Sequence, residues 1–347
     1  MKEEKIMHLY DNRMVWLGAL LLVFNCLLLP AWAAPNKIKV AVVTPEGSTW
    51  VKVLREMAAQ VEEKTSGEVG FTIYAGGVSG DEADVLRKMR VNRIHAAGFS
   101  GVGLGIILPG VRILEAPLLF QNDKEIDAVR EQMFDYFAEA FMKKGFVLLG
   151  FVEGGWVYFF SQKNLSRQSA FKSVKMWVWK GDRVAETFLH NFGVRTTPLH
   201  IAEVNTGLET RMIDSFYSPP LAAVAFQWHT RTQYVLDYPL ANSTAALLMT
   251  KRAFTGLSAD HQAVLKETAR RFCRKLVRLT REDNRKALMV MQAQGLTFIS
   301  PTADQMTSFK ADARKTYAQS IPDLYPQSLF DRIQAILGAL RGSALNK

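Results

Sequence analysis

Residues 37–100 switch hydrophobic period again and again, and few architectures can absorb that. KIKVAVVT (37–44) reads as a strand, followed by the turn Pro45-Glu46-Gly47-Ser48. From Thr49 a helix begins, and VKVLREMAAQVEEKT carries Val51, Leu54, Met57, Ala58 and Val61 at helical spacing. Gly67 ends that helix, and EVGFTIYA (68–75) is the next strand. The turn at 76–81 leads into a second helix, DEADVLRKMRVNR, and IHAAGFS (94–100) closes the unit as a third strand. Strand, helix, strand, helix, strand means parallel strands with helical crossovers. The first part of the chain is therefore an α/β sandwich whose variable loops lie at the carboxyl ends of its strands.

The alternation resumes further on. GFVLLGFVEGGWVYFFSQ (145–162) holds two apolar strand-like runs split by Gly154-Gly155, placed to cross into a second lobe. VKMWVW (174–179), a helix at 181–193, VRTTPL (194–199), a helix over IAEVNTGLETRM and the strand IDSFYSP form a smaller α/β unit. YPLANSTAALLMT (238–250) reads as a strand returning to the first lobe. Ser258 then caps a helix running from Ala259 to Gln294 and stopped by Gly295. At ~1.5 Å per residue it is ~50 Å long, enough to lie across both lobes. The expected fold class is α/β: a two-lobed clamshell with a cleft between the lobes and a long C-terminal helix spanning both. The expected division is lobe I at 34–153, lobe II at 154–237, the return at 238–257, the spanning helix at 258–295, and a strand with helices at 296–347.

Residues 1–33 read as a cleaved signal peptide rather than part of the fold. Lys2, Lys5 and Arg13 precede the apolar run 14–30, and Ala31-Trp32-Ala33 is a small-x-small cleavage site. About 16 apolar residues fall short of the ~20 a membrane span needs. Cys26 follows Val23-Phe24-Asn25 and lacks the small residue that lipoprotein processing wants. Export without an anchor places the mature chain in the periplasm. Only Cys273 then remains, so no internal disulfide is possible. The net charge of +10 survives removal of the leader, which holds three bases and three acids. The basic residues come in dispersed pairs such as Lys143-Lys144 and Arg270-Arg271, without the aromatic interleaving of nucleic-acid binders. No nucleic-acid partner is expected.

Motifs for catalysis fail on inspection. GFSGVGLG (98–105) places Val102 where a nucleophile elbow needs glycine, and Ile106 where a dinucleotide loop needs one. It remains a close-packing turn or a cleft wall. His95, His190, His200, His229 and His261 form no metal-ligand spacing, and Cys273 lies among apolar residues as an inert thiol. No metal and no cofactor are expected, and the chain is read as a non-enzyme.

The aromatics stand out. In VKMWVW, Met176 and Val178 point one way, and Trp177 and Trp179 the other. Two indoles on one face need a large apolar partner, either the protein's own core or a ligand. Tyr217-Ser218-Pro219-Pro220 follows a strand, and Phe226-Gln227-Trp228 comes soon after, so several rings should line a cleft. Trp177, Trp179, Tyr217, Pro219 and Trp228 are the apolar candidates. Phe99 and Ser100 are expected from the opposite lobe, Thr44 and Ser48 as polar groups near the first helix, and Trp156 at the cleft or hinge.

The order of segments resembles the solute-binding proteins of TRAP (tripartite ATP-independent periplasmic) transporters of the DctP type. LPGVRILEAPLLFQNDKEIDAV (108–129), VLRKMRVNRIHAAGFS, FKSVKMWV, FGVRTTPLHIAEVNTGLETRMIDS (192–215), LTREDNRKAL and QAQGLTFISP each match loosely, and their shared order carries the likeness over nearly the whole mature chain. The resemblance implies a periplasmic binding protein that delivers its ligand to small and large integral membrane subunits. In typical members an arginine on the strand that FKSVKMWV matches forks onto the ligand's carboxylate. Here Trp177 holds that place, Arg211 replaces a glycine of a later motif, and SFYSPP replaces a polar segment. The resemblance is to an atypical branch lacking the anchor, one associated with tetratricopeptide-repeat partners and apolar clefts. A largely hydrophobic ligand is expected: lipid-like, aromatic or branched apolar. Two alternatives stay open: an organic acid anchored by Arg112 or Arg183, and a lipid-carrier module that works without a transporter.

Overall fold

The computed structural model describes residues 36–345; the leader expected at 1–33 lies outside them. Strands β1 (Asn36–Ala41), β2 (Val69–Tyr74) and β3 (Ala96–Ser100) pair in parallel in the order β2-β1-β3. Helices α1 (Thr49–Lys64) and α2 (Glu82–Arg90) make the crossovers. Each starts on a cap written in the sequence. The Ser48 hydroxyl accepts from the amide of Val51, and Asp81 forms a reciprocal capping box with Asp84. The α1 residues at helical spacing are buried against the sheet. The glycine-rich stretch after β3 is a helix, α3 (Gly101–Ile107), not a turn. Its glycines are needed for approach: a Cβ at Gly101, Gly103 or Gly105 would overlap Glu115, Glu82 with Phe99, or Arg112. A 3-10 segment (Pro109–Glu115) follows, then α4 (Asp123–Gln132) and α5 (Phe134–Lys143).

The expected pair of runs at 145–162 is a single strand, β4 (Phe146–Ser161), 16 residues long. Gly154-Gly155 does not break it. The strand shifts register between Glu153 and Gly155, where Gly155 takes φ +110° and the Asn284 amide fills the space a side chain would need. The expected boundary between the lobes thus falls inside a strand. Beyond α6 (Gln168–Phe171), the smaller unit holds β5 (Lys175–Trp179), α7 (Arg183–Asn191), β6 (Arg195–Leu199), α8 (Val204–Glu209) and β7 (Ser215–Ser218), with β5 parallel to β6 and β7. Helix α9 (Pro220–Ala225) and a 3-10 turn (Trp228–Arg231) lead to β8 (Tyr234–Thr250), 17 residues long and antiparallel to β3 and β4.

The full order is β2-β1-β3-β8-β4-β7-β5-β6, with β9 (Thr297–Ile299) beside β8. Two parallel units are thereby joined by the two long antiparallel strands, which gives the two-lobed α/β architecture. After α10 (Lys251–Thr255), Ser258 caps α11 (Ala259–Ala293), a helix of 35 residues that packs against α1, β4 and α9. Gly295 stops it at φ +90°, and α12 (Ala303–Ser320) and α13 (Gln327–Leu345) complete the chain. Cys273 is buried beside Gly150, and burial pushes its thiol up to about 12. From Asn36 onward the chain is one compact unit, and no described helix is long and apolar enough to cross a membrane.

Candidate functional site

The carboxyl ends of the strands in both units open onto one cavity of about 450 Å³. Thr44 and Ser48 reach it from the turn between β1 and α1, and Phe99 and Ser100 from the end of β3. Trp177 and Trp179 on β5, Tyr217 and Pro219 at the end of β7, and Trp228 complete that set. All nine were singled out from the sequence, and the tertiary structure gathers them around one cavity. Trp156 is the exception. Strand side chains alternate faces, so Val157 and Phe159 of β4 line the cavity while Trp156 points away from it. Its indole donates to Asp123 at 2.8 Å and packs on the core of the first lobe.

Trp177 is the hub of the aromatic wall. Its ring lies 5.5 Å from Tyr217 and 6.3 Å from Trp179, both stacked, and 5.1 Å from Trp228 edge to face. Only 3 % of it is exposed, and its indole N–H is satisfied by the carbonyl of Leu199 at 3.1 Å. Trp177 belongs to a core cluster and lines the cavity at once. Trp179 is half-buried, and its indole N–H reaches Asp81 at 3.4 Å.

Of the charged lining, the sequence had offered Arg112 alone, as the anchor of the organic-acid alternative. Arg112 is the only cationic side chain in the cavity wall among the described residues, and it is already engaged. Its guanidinium meets Asp182 at 2.5 Å and forms an ion pair with Glu115. Burial opposes its charge, but Asp182 and Glu115 together hold its pKa above the ordinary value. Asp182 also accepts from the Tyr217 hydroxyl at 2.7 Å; burial and that neighbouring carboxylate hold the phenol well above its usual range. Glu82 accepts from the Ser100 amide at 2.6 Å, the Ser100 hydroxyl at 2.7 Å and the Gly103 amide at 2.8 Å. Burial still pushes its carboxyl up to about 7, and does the same to Glu115 despite Arg112. Acids at a helix start read from sequence as caps, which is why Glu82 and Asp182 drew no notice. Arg183, Lys175, Lys180 and Arg195 all lie outside the lining. Among the described residues no His, Cys, Asp or Glu cluster is arranged to hold a metal ion.

Known proteins resemble this arrangement over most of its length. A solute-binding protein of Verminephrobacter eiseniae is 24% identical over 275 residues, 77% of this chain and 80% of that protein. The C4-dicarboxylate-binding periplasmic protein of Rhodobacter capsulatus is 22% identical over 82% of this chain and 86% of its own. Among solved structures, a TRAP periplasmic solute-binding protein of Desulfovibrio salexigens with bound orotic acid superposes with a TM-score of 0.82 at 17% identity, covering 88% of this chain and 99% of that one. One from Xanthobacter autotrophicus with bound β-D-galacturonate gives 0.80 at 20% identity, over 86% and 99%. These likenesses carry the two-lobed fold. The profile described as bacterial extracellular solute-binding protein, family 7, matches residues 40–323, and the chain therefore belongs to this DctP family.

Proposed function

We propose that the chain is the periplasmic ligand-binding component of a TRAP-type secondary transporter, from a branch whose cleft takes a largely hydrophobic ligand. It would close two lobes, divided near residues 153 and 237, on a lipid-like, aromatic or branched apolar molecule and deliver it to integral membrane subunits. The observation that carries this is the pairing at the cavity wall. Trp177, which the sequence resemblance sets where typical relatives have an arginine, lines the cavity, and the one guanidinium lining it among the described residues, Arg112, is tied to Asp182 and Glu115. Exposing a carboxylate to this wall without a free cation costs several kcal/mol. Trp177, Trp179, Tyr217 and Trp228 supply apolar area instead, and Phe99 lines the same cavity.

A second reading keeps the fold and gives it an organic acid. Relatives and solved neighbours that carry orotic acid, galacturonate or a C4-dicarboxylate favour it, and Arg112 would then have to leave one of its partners. Mass spectrometry of the compound released from protein isolated out of the periplasm separates the two. A stoichiometric apolar compound, lost in Trp177→Arg, is the expected result. A small organic acid, retained in Trp177→Ala, would overturn the apolar assignment.

A further inference from the structure

The charges around the cavity do not balance. Three carboxylates, Glu82, Glu115 and Asp182, face one guanidinium, Arg112, and no other charged side chain lines the space among the described residues. None of the four is open to bulk water: Glu82 is 3 % exposed, Arg112 5 %, Asp182 6 %, and the Glu115 side chain 11 %. Arg112 is committed to Glu115 and Asp182, so Glu82 is held only by the Ser100 and Gly103 donors and has no cation among its hydrogen-bond partners. An acid entering here would add a like charge in a poorly screened place. Asn242 adds a further demand. It is 1 % exposed and lines the cavity, its Oδ1 is taken by Arg130 at 2.7 Å, and its Nδ2 has no partner.

We propose that the cavity selects an organic cation with an apolar body, an amine or quaternary ammonium set against Glu82 and Glu115 with the remainder against Trp177, Trp179 and Trp228. The inference rests on the reading of the chain as a binding protein for a largely apolar ligand, and narrows it. An oxygen on the same ligand would satisfy Asn242.

Three probes of nearly one shape test it: phenethylamine, 2-phenylethanol and 3-phenylpropionate, titrated into the mature protein by tryptophan fluorescence and calorimetry. At about pH 8 the amine is expected to bind ~10-fold more tightly than the propionate, with the alcohol between them. Its advantage shrinks as the pH falls through about 7, where Glu82 and Glu115 take up protons. The other charged groups facing them are Asp81 beside Glu82, and Arg112 and Asp182 beside Glu115, with Tyr217 against Arg112. Glu82→Gln should remove most of the amine's advantage over the alcohol; if that variant does not fold, the pH series on the unaltered chain decides. Equal binding of amine and alcohol, with the propionate excluded, sinks the cation inference and leaves the apolar reading standing. Binding of the propionate alone sinks both. Failure of all three to bind overturns the cation inference.

Discussion

Trp177 touches three other rings while forming part of the cavity wall, so removing it has two separable effects. Trp177→Ala should lower stability by about 3–5 kcal/mol, as loss of a buried aromatic does. It should also weaken the apolar ligand by more than about 1 kcal/mol, as loss of an anchor ring does. Calorimetry at a temperature where the variant is folded reads the second effect, and unchanged affinity there would place Trp177 wholly in the core. The buried carboxyls make a prediction of their own. Glu82 and Glu115 hold protons to about pH 7 when folded, against an ordinary value of 4.5. The folded state therefore binds more protons between those values, and stability falls as pH rises from about 4.5 to about 7. Melting temperatures across that window should slope downward, and Glu82→Gln should flatten the slope; an unchanged slope would mean that Glu82 titrates normally.

The elements are pinned to one another by a second charged group, around Glu153 of β4. Glu153 of β4 is fully buried between Arg130 of α4, 2.5 Å away, and Arg281 of α11, 2.7 Å away. Arg130 also donates to Asn242 and Thr244 of β8, and Arg281 reaches Asp127 of α4. Arg130→Met leaves Glu153 with Arg281 alone and strips two β8 acceptors of their donor. A loss of about 3–5 kcal/mol is expected by denaturant unfolding, the usual result of breaking a buried pair by removing one partner. A loss below about 1 kcal/mol would show that Arg281 compensates. At this scale the sequence was readable where the signal is local. The cap Ser258 and the stop at Gly295 stand where side-chain chemistry and positive φ put them. It misled at Gly101–Gly105 and at Gly154-Gly155. In both places glycine is needed for what packs against it, Glu115, Glu82, Arg112 or Asn284, and those neighbours come from distant parts of the chain.

Across the whole molecule, a few contacts join the two lobes at the cavity mouth. Asp81, at the start of α2, pairs with His200 Nδ1 at 2.8 Å and accepts from the Trp179 indole at 3.4 Å. Arg112 reaches Asp182 across the same gap. Contacts made on closure govern release more than capture. Asp81→Ala is therefore expected to raise the ligand dissociation rate several-fold with little change in association, read by stopped-flow tryptophan fluorescence. An unaltered dissociation rate would remove Asp81 from the closure. The sequence by itself determined the α/β class, the family and the long capped helix, and it singled out nine residues that line one cavity. Hydrophobic period, capping chemistry and strand alternation are local properties, and segment order survives divergence. Only the tertiary structure decided that β4 is unbroken, that Trp156 faces away, and that Arg112 is already paired. It also brought Glu82, Glu115 and Asp182 into one poorly solvated space. Charge balance at a site is a sum over residues far apart in the chain, weighted by burial, and neither the distances nor the burial is written in a linear order of residues.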